Sequence, residues 1–394
     1  MIEHNAFAET PCRRPLRKAP LAAALSLMAA GMASPAMAEV AFESDNGWKV
    51  GVNGHLPIFA VFGDYDKRAD GDFLDGEDSF SITTGFNPAT LQTNIYAPEQ
   101  NGLRVSGHFQ MNASIAPGDA DEEFRSRVSE IAVAGDFGTV NIGKGFGIFG
   151  TPAIGDNGSA LGVGLIGAGP DQVQATAGRI GNGYLYADFQ PRVMYTSNNF
   201  GGLQFKVGVF SPSKVGVPAS GLDKVAIDNA EYDTPRIEAN VVYSADNFSL
   251  WSSGFTQDVG SKVGTNEYTM SGIDFGGSVS LGDLAVRGNY SMTSGTGNGV
   301  FAARFDPDEK DANQWYVETT YKINRTTVGA SYGEGEDDLE ELKGAGAGDS
   351  DLTMLFARYA ATDNFTLLAE YQIYGTGDGD GEYNAIIFGS QLTF

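Results

Sequence analysis

The chain has 394 residues and a formal net charge of −25 at pH 7, with 53 glycines and 11% aromatic residues. The acidic balance argues against a nucleic-acid partner, because proteins that bind nucleic acids need a basic surface. The only cysteine, Cys12, has no second cysteine to pair with, which excludes a small disulfide-stabilised scaffold.

The first 38 residues have the pattern of an export signal. Residues 13–20 are basic, residues 21–33 are apolar, and the motif AMA precedes Glu39. The apolar run is shorter than the roughly 20 residues that a spanning helix needs, and small residues at alternate positions are typical of a cleavage site. We therefore predict a signal peptide over residues 1–38 and a mature domain over residues 39–394.

From Glu39 onward, short alternating segments are separated by two kinds of connection that alternate along the chain. Seven connections are tight turns, whose Asp, Asn and Gly residues supply the positive φ angles of hairpins. They lie at residues 98–102, 136–138, 198–202, 246–247, 282–283, 324–325 and 363–364. The other connections are long, acidic and rich in glycine, as at 64–79 and 333–351. Seven turns between eight long loops predict about sixteen strands, and an even number is typical of bacterial outer-membrane barrels.

The segments themselves alternate between apolar and polar residues with period two. In residues 315–323, for example, Val317 and Tyr321 lie on one face while Glu318 and Lys322 lie on the other. In lipid every backbone polar group must be bonded internally, so such strands must close into a barrel. Sixteen strands are too many for side chains to fill the lumen. The sequence therefore predicts an all-β, 16-stranded antiparallel transmembrane β-barrel with short periplasmic turns and long extracellular loops.

The chain ends within a strand pattern rather than in a polar tail. Its last residue is Phe394, and Ile386, Phe388 and Leu392 share the same face. We expect this last strand to pair with the first, near residues 48–62, and so to seal the wall. Phe394 would then face lipid in the periplasmic aromatic girdle.

Two short motifs make the chain resemble the general, non-specific porins of Gram-negative outer membranes. GDFGTVNIGK, residues 135–144, resembles the segment that these porins carry at the second tight turn and fifth strand, and the terminal Phe394 resembles the signal read by the barrel-assembly machinery. The resemblance implies a homotrimer in the outer membrane, in contact with lipid and lipopolysaccharide. It also implies passive diffusion of small hydrophilic solutes and ions, and a third long loop that folds inward to narrow the pore.

The matching third loop covers residues 146–183, the longest gap between predicted strands. Between residues 148 and 178 its only charged residues are Asp156 and Asp171. A loop of this length that is half apolar would expose too much apolar surface if it stood free in water. Two placements remain open, against the lumen wall or against neighbouring subunits. The acidic Pro-Glu-Phe-Gly constriction motif that is usual in such porins is absent.

In porins of this type, acids of the inward loop face bases of the wall, and the resulting field selects solutes by charge, size and polarity. The resemblance therefore implies that Asp156 and Asp171 are the loop acids. Strand parity places six bases on the polar face: Arg104, Arg192, Lys206, Arg236, Arg287 and Arg358. His108 shares the inner face with Arg104. Each base lies either in the constriction or elsewhere on the lumen wall.

The same parity places Arg127 and Lys144 on the lipid face. A charge at the middle of the membrane costs about 2–4 kcal/mol, so this placement conflicts with the membrane. A β-bulge or a position at the rim would remove the conflict.

The acidic long loops have two interpretations, solubility or weak binding of divalent cations that bridge to lipopolysaccharide. The motif DGDGE at residues 378–382 has oxygen ligands at alternate positions but lacks the rest of a twelve-residue calcium loop. We expect no metal site and no cofactor beyond such weakly held cations.

Other functions are less well supported by the sequence. The mature domain has only two histidines, His55 and His108, and no GxSxG motif, so it lacks the base and nucleophile pattern of a barrel hydrolase. We therefore predict that the protein is not an enzyme. The alternatives are a substrate-specific outer-membrane channel and a plugged structural or adhesive barrel.

Overall fold

The computed structural model describes most of the chain from Glu39 onward. The described residues are 39–66, 79–85, 89–113, 125–159, 178–216, 228–264, 266–298, 303–338, 349–376 and 381–394. The predicted signal segment, Asp171 and large parts of the acidic outer loops lie outside these ranges. Within the ranges, no helix has the length and apolar content needed to cross a membrane.

The alternating segments correspond to β-strands. The strands of the described residues are β1 (Val40–Glu43), β2 (Lys49–Asp66), β3 (Ser79–Thr83), β4 (Ala89–Tyr96), β5 (Arg104–Ala113), β6 (Arg125–Gly135), β7 (Gly138–Phe146), β8 (Phe189–Thr196), β9 (Leu203–Phe210), β10 (Val215–Gly216), β11 (Ala230–Glu231), β12 (Arg236–Ser244), β13 (Phe248–Ser261), β14 (Tyr268–Leu281), β15 (Leu284–Ser294), β16 (Ala303–Arg304), β17 (Asp311–Ile323), β18 (Thr326–Asp337), β19 (Ser350–Ala360), β20 (Phe365–Thr376) and β21 (Gly381–Thr393). The third loop therefore covers residues 147–188, between β7 and β8, and ends beyond the predicted Gly183.

Nineteen of the described strands join into one sheet. β3 and β4 pair with different parts of β2 and act as one interrupted wall strand, while β1 and β11 only extend their neighbours. β21 pairs with β2 from His55↔Thr393 to Asp66↔Glu382, which closes the wall. The result is the predicted closed barrel of sixteen antiparallel strands.

The connections segregate by length, as the sequence predicts. Tight turns join β4 to β5, β6 to β7, β8 to β9, β12 to β13, β14 to β15, β17 to β18 and β19 to β20. Asn101 and Asn324 adopt positive φ angles of 55° and 53° in two of these turns, a conformation that Asn tolerates better than most residues. Gly138 has a φ of 110°, and a Cβ there would lie only 2.4 Å from the carbonyl oxygen of Thr196.

The two faces of the wall differ in the way that the period-two pattern predicts. On β17, the outward side chains of Val317 and Tyr321 are 46% and 48% exposed, whereas the inward Tyr316 and Glu318 are 0% and 2% exposed. The outward face is the one that lipid covers in a membrane, since lipid requires apolar side chains there. The inward face carries the polar and charged side chains.

The end of the chain seals the wall. Phe394 exchanges two backbone hydrogen bonds with Gly54 of β2, at 2.8 and 3.0 Å. Ile386, Phe388 and Leu392 are exposed on the outward face of β21, and Phe394 shares their parity. The ring of Phe394 lies over Gly54, and a Cβ added to Gly54 would lie 3.0 Å from the ring. The terminal Phe therefore lies on the lipid face, as predicted.

A β-bulge resolves the conflict over Arg127. The register between β5 and β6 shifts between Gln110 and Met111, so that Arg127 has no partner residue in the ladder. Its guanidinium donates to the hydroxyl of Tyr186 in the third loop at 3.0 Å. Lys144 lies instead near the extracellular end of β7, where its ammonium donates to the carbonyl oxygen of Ser126 at 3.2 Å. The bulge and the rim position were the two expected solutions.

Candidate functional site

The third loop begins against the inner wall, and wall carboxylates accept hydrogen bonds from its backbone. Oε2 of Glu238, on β12, accepts from the amides of Ile148 and Phe149 at 2.6 and 3.0 Å. Oδ2 of Asp274, on β14, accepts from the amide of Gly150 at 3.2 Å. Both carboxylates are buried, so these charge-assisted bonds satisfy groups that would otherwise be costly to desolvate.

The next turn of the loop is held by two side chains of the wall. A short 3-10 turn covers Thr151–Ala153. Arg287, on β15, donates to the carbonyl oxygen of Pro152, and the hydroxyl of Tyr316, on β17, donates to that of Ala153 at 2.6 Å. Nε of Arg287 also donates to the Tyr316 hydroxyl at 3.1 Å, so the two wall residues form one connected support.

A third carboxylate holds the loop farther along. Oε1 of Glu318, on β17, accepts from both the backbone amide and the side-chain amide of Asn157, at 2.7 and 2.9 Å. Oε2 accepts from the amide of Gly158 at 2.9 Å. The first described stretch of the loop, residues 147–159, is thus bonded to acids on three wall strands.

The return stretch, residues 178–188, is attached mainly through its own side chains, and Asn289 of β15 also donates to the carbonyl oxygen of Gly183 at 3.1 Å. Arg179 is fully buried and donates to the hydroxyl of Ser331 and to the carbonyl oxygen of Leu352, at 2.7 Å in each case. Burial lowers the pKa of Arg179, and the charges of Asp156 and Glu318 oppose that shift. A buried guanidinium with these partners fixes the loop to β18 and β19.

Of the two predicted loop acids, only Asp156 lies within the described residues. Its carboxylate accepts from the hydroxyl of Tyr184 at 2.8 Å and from that of Ser159 at 2.9 Å. Asp156 therefore joins the outgoing and return stretches of the loop to each other. Asp171 lies outside the described residues, so its position as a constriction acid stays a prediction.

Three of the predicted wall bases lie together on β8, β9 and β12, and each is less than a tenth exposed. Arg192 forms an ion pair with Glu130 at 2.8 Å, and Arg236 forms one with Glu238 at 2.5 Å. Lys206 lies on β9, between the strands that carry the two arginines. These bases are partly neutralised by acids of the wall itself, an arrangement that the sequence analysis did not anticipate.

Two further predicted bases lie farther along the wall, on β15 and β19. The Arg287 guanidinium lies 4.8 Å from the ring centre of Trp251, in addition to its bonds to the loop. Arg358, on β19, lies 6.0 Å from the ring centre of Phe356 on the same inner face and interacts electrostatically with Glu370. Aromatic faces support both guanidinium groups.

Arg104 and His108 lie toward the periplasmic mouth and are not brought to the third loop. Arg104 is the first residue of β5, next to a tight turn, and is exposed. The His108 ring is hydrogen-bonded to Asn94 at 2.9 Å and to Ser106 at 2.8 Å. Asn94 in turn donates to Glu39 at 3.0 Å. These residues form a separate polar network at that end of the barrel.

Sequence reasoning missed the acids that hold the loop: Glu238, Asp274 and Glu318. Their inward parity was readable from the period-two pattern, yet parity does not show which inward residue meets a loop that is distant in sequence. Among the described residues, no group of three or more His, Cys, Asp or Glu side chains is placed to hold a metal ion. The arrangement supports a fixed inner loop and a charged lumen, without the pattern of a metal centre.

Comparison with known proteins agrees with this architecture. Residues 22–379 match the family model described as Gram-negative porin. The outer membrane channel DcaP of Acinetobacter baumannii is similar in structure, with a TM-score of 0.64 and 16% identity over 90% of this chain and 99% of that one. The anion-selective porin from Comamonas acidovorans has a TM-score of 0.63 and 13% identity over 88% and 100%.

A trimer form of OmpT, an outer membrane protein of Vibrio cholerae, has a TM-score of 0.53 and 14% identity over 88% of this chain and 99% of that one. No curated protein sequence matches the chain. The closed barrel, its polar lumen and the family match lead to one conclusion: the chain belongs to the Gram-negative porin family and is a channel of the outer membrane.

Proposed function

We propose that this porin is a homotrimer of open, water-filled channels through which small hydrophilic solutes and ions diffuse passively, and that it has no enzymatic activity. The observation that carries the proposal is the attachment of the third loop to one side of a polar lumen. A loop bonded to the wall narrows a pore, whereas a plug must cross it.

Most of the loop contacts described above lie on β12 to β19, about half of the wall, with one further bond from Arg127 of β6 to Tyr186. The opposite part, β2 to β5, presents buried or half-buried polar side chains to the lumen, among them Asn53, Thr90 and Asn112. Uncharged amides and hydroxyls on one part, and charges where the loop lies, make the inner face of the wall polar on both sides of the lumen. This supports a diffusion channel over a plugged structural or adhesive barrel, and it favours a broad solute range over a single substrate.

The proposed partners follow from the outer surface. The trimer form of a similar barrel and the apolar outward face support a homotrimer embedded in lipid and lipopolysaccharide. The lipid-facing terminal Phe394 supports insertion by the barrel-assembly machinery. We expect the channel to work without a resident cofactor, and any divalent cations at the acidic outer loops to be weakly held.

Planar-bilayer conductance of the refolded residues 39–394 in a KCl gradient tests this function. We expect large conductance in steps of three, with a mild preference for one sign of ion. Conductance that rises in single steps would contradict the trimer while leaving the channel. A folded barrel with no conductance would overturn the diffusion channel in favour of a plugged barrel.

A further inference from the structure

A cavity of about 300 Å³ lies beside the third loop, at the extracellular ends of β8, β9 and β12. The return stretch of the loop forms one wall of it, and the residues that follow β9 form another. This volume lies at the lower end of the range of small-molecule sites. The cavity shares Arg236 with the group of wall bases around Lys206, and its other lining residues have no part in that group.

The cationic groups of the cavity keep unused hydrogen-bond donors. Arg236 donates through Nε to Glu238, and its guanidinium lies 3.8 Å from the ring centre of Phe255. Within the described ranges its two terminal nitrogens have no acceptor. Lys214 is exposed and has no ion pair or hydrogen bond to any described residue. The cavity therefore presents hydrogen-bond donors that no described residue uses, although Glu238 compensates the charge of Arg236.

The acids that line the cavity are already engaged. Glu238 accepts from two loop amides and from Arg236, as described above. Asp188 accepts from the amide of Phe189 at 2.6 Å and from the side chain of Gln190 at 3.5 Å. Neither carboxylate accepts from the terminal nitrogens of Arg236 or from the Lys214 ammonium among the described residues, so these donors remain able to bond an anion.

Buried polar atoms without a partner point to a missing ligand or water. The Thr296 side chain is 1% exposed, and its hydroxyl oxygen has no hydrogen-bond partner among the described residues. An unsatisfied hydroxyl is costly in such a place. Oε1 of Gln190 is also buried without a partner there, so the cavity holds an acceptor as well as donors.

The remaining lining is apolar. Phe210 and Leu185 are 2% and 7% exposed, and Tyr186 lies beside them. An inorganic anion would leave this surface without a partner, whereas the hydrocarbon part of an organic anion would cover it. Cationic donors at one side and an apolar wall at the other define the chemistry of the occupant.

We propose that this cavity binds small organic carboxylates, with the carboxylate at Arg236, Lys214 and Thr296 and the hydrocarbon part against Phe210. The inference rests on the proposed function, because a site at the extracellular side of the loop serves transport only if the lumen is open. A site of this kind would concentrate organic anions at the extracellular side of the third loop before they pass it.

Binding of benzoate to the protein extracted from outer membranes tests the proposal. Saturation-transfer NMR in detergent measures binding, and bilayer conductance measures block of the pore. Benzamide is the neutral isostere and inorganic phosphate is the anion without a hydrocarbon part. We expect benzoate to bind at least about tenfold more tightly than either. Benzamide lacks the charge-assisted hydrogen bonds and phosphate lacks the buried ring, and each of these interactions contributes at least that factor to affinity.

The variants separate a local site from general charge effects. Lys214→Gln should weaken benzoate binding about tenfold, and Thr296→Val should weaken it less. Lys144→Gln removes the same charge at the outer rim and should leave binding unchanged. The proposal would be overturned if benzamide or phosphate bound as tightly as benzoate. It would also be overturned if Lys214→Gln and Lys144→Gln weakened benzoate binding equally. An open channel that does not bind benzoate would refute only this inference, whereas bound benzoate without any conductance would refute only the diffusion channel.

Discussion

The two described stretches of the third loop are held by opposite means. In residues 147–159 the loop contributes mainly backbone amides and carbonyls, and the wall contributes the side chains Glu238, Asp274 and Glu318. In residues 178–188 the loop contributes the side chain of Arg179, which reaches a hydroxyl and a carbonyl oxygen of the wall.

The difference shows which residues determine the position of the loop. Any residue except proline carries an amide, so the bonds of the outgoing stretch to the wall acids depend little on its own side chains. Gly150 is restricted for a different reason, since its φ is 73° and a Cβ there would lie 2.6 Å from the carbonyl oxygen of Leu185. The return stretch also uses a loop side chain that no other residue type replaces, since arginine alone offers several donors in a rigid plane. Asn289 and Arg127 of the wall add one bond each to this stretch.

The largest effect should come from Arg179→Met. The substitution removes a fully buried guanidinium and leaves Ser331 and the carbonyl oxygen of Leu352 without their donor. We expect a loss of about 2–4 kcal/mol in the local stability of the return stretch, measured by hydrogen exchange of the amides of residues 178–184.

The control for this variant is Arg325→Met. Arg325 lies in a periplasmic turn and pairs with Asp363, and both side chains are more than half exposed. Such a pair contributes about 0–1 kcal/mol. Similar exchange rates in the two variants would show that the buried arginine does not hold the loop.

A smaller effect is expected from Glu318→Gln. The neutral amide keeps an acceptor but loses the charge-assisted bonds to the amides of Asn157 and Gly158, so we expect a loss of about 1–2 kcal/mol. The loosened loop should raise single-channel conductance. Glu334→Gln is the matched control, because Glu334 lies on the outward side of β18 and accepts from Trp315 there. If neither the conductance nor the hydrogen exchange of the Asn157 and Gly158 amides changed, Glu318 would not anchor the loop.

The barrel was predictable from the sequence because its rules are local and repeated. Period two decides which side of the wall Val317 or Glu318 faces, and turn residues such as Asn324 mark the hairpins. Even the bulge at Arg127 was foreseeable, because strand parity placed this charged residue on the lipid face. Each of these inferences needs only neighbours in sequence.

The attachment of the third loop was not predictable in the same way. Glu238 and Ile148 are 90 residues apart, and a backbone amide leaves no trace in the sequence. The pairing of Arg192 with Glu130 was missed for a related reason, because parity showed both residues on the inner face without showing that they meet. Contacts between inward residues depend on the shear and curvature of the whole barrel.

The bond between Tyr184 and Asp156 should give the protein an alkaline limit. Burial, followed by the charge of Asp156, raises the pKa of Tyr184 well above its usual 10. The protonated hydroxyl therefore stabilises the fold fully below about pH 10, and this contribution is lost as the pH rises from there through the raised pKa. Tyr184→Phe should lower the free energy of unfolding by about 1 kcal/mol at pH 8 and reduce the decline of the unfolding temperature between pH 10 and 12.

The control is Tyr243→Phe, on the outward face, which should leave this decline unchanged. A decline of equal slope in both variants would exclude Tyr184 as its source.

The smallest effect should come from Asn157→Ala, and it is the sharpest test of backbone anchoring. The substitution removes the side-chain bond to Glu318 at 2.9 Å but keeps the backbone bond at 2.7 Å, so we expect a loss of no more than about 1 kcal/mol. Asn157→Pro removes the backbone donor as well and should approach the effect of Glu318→Gln on hydrogen exchange at Gly158 and on conductance. If alanine already has that full effect, the asparagine side chain holds the loop, and the outgoing stretch depends on its own sequence as much as the return stretch does.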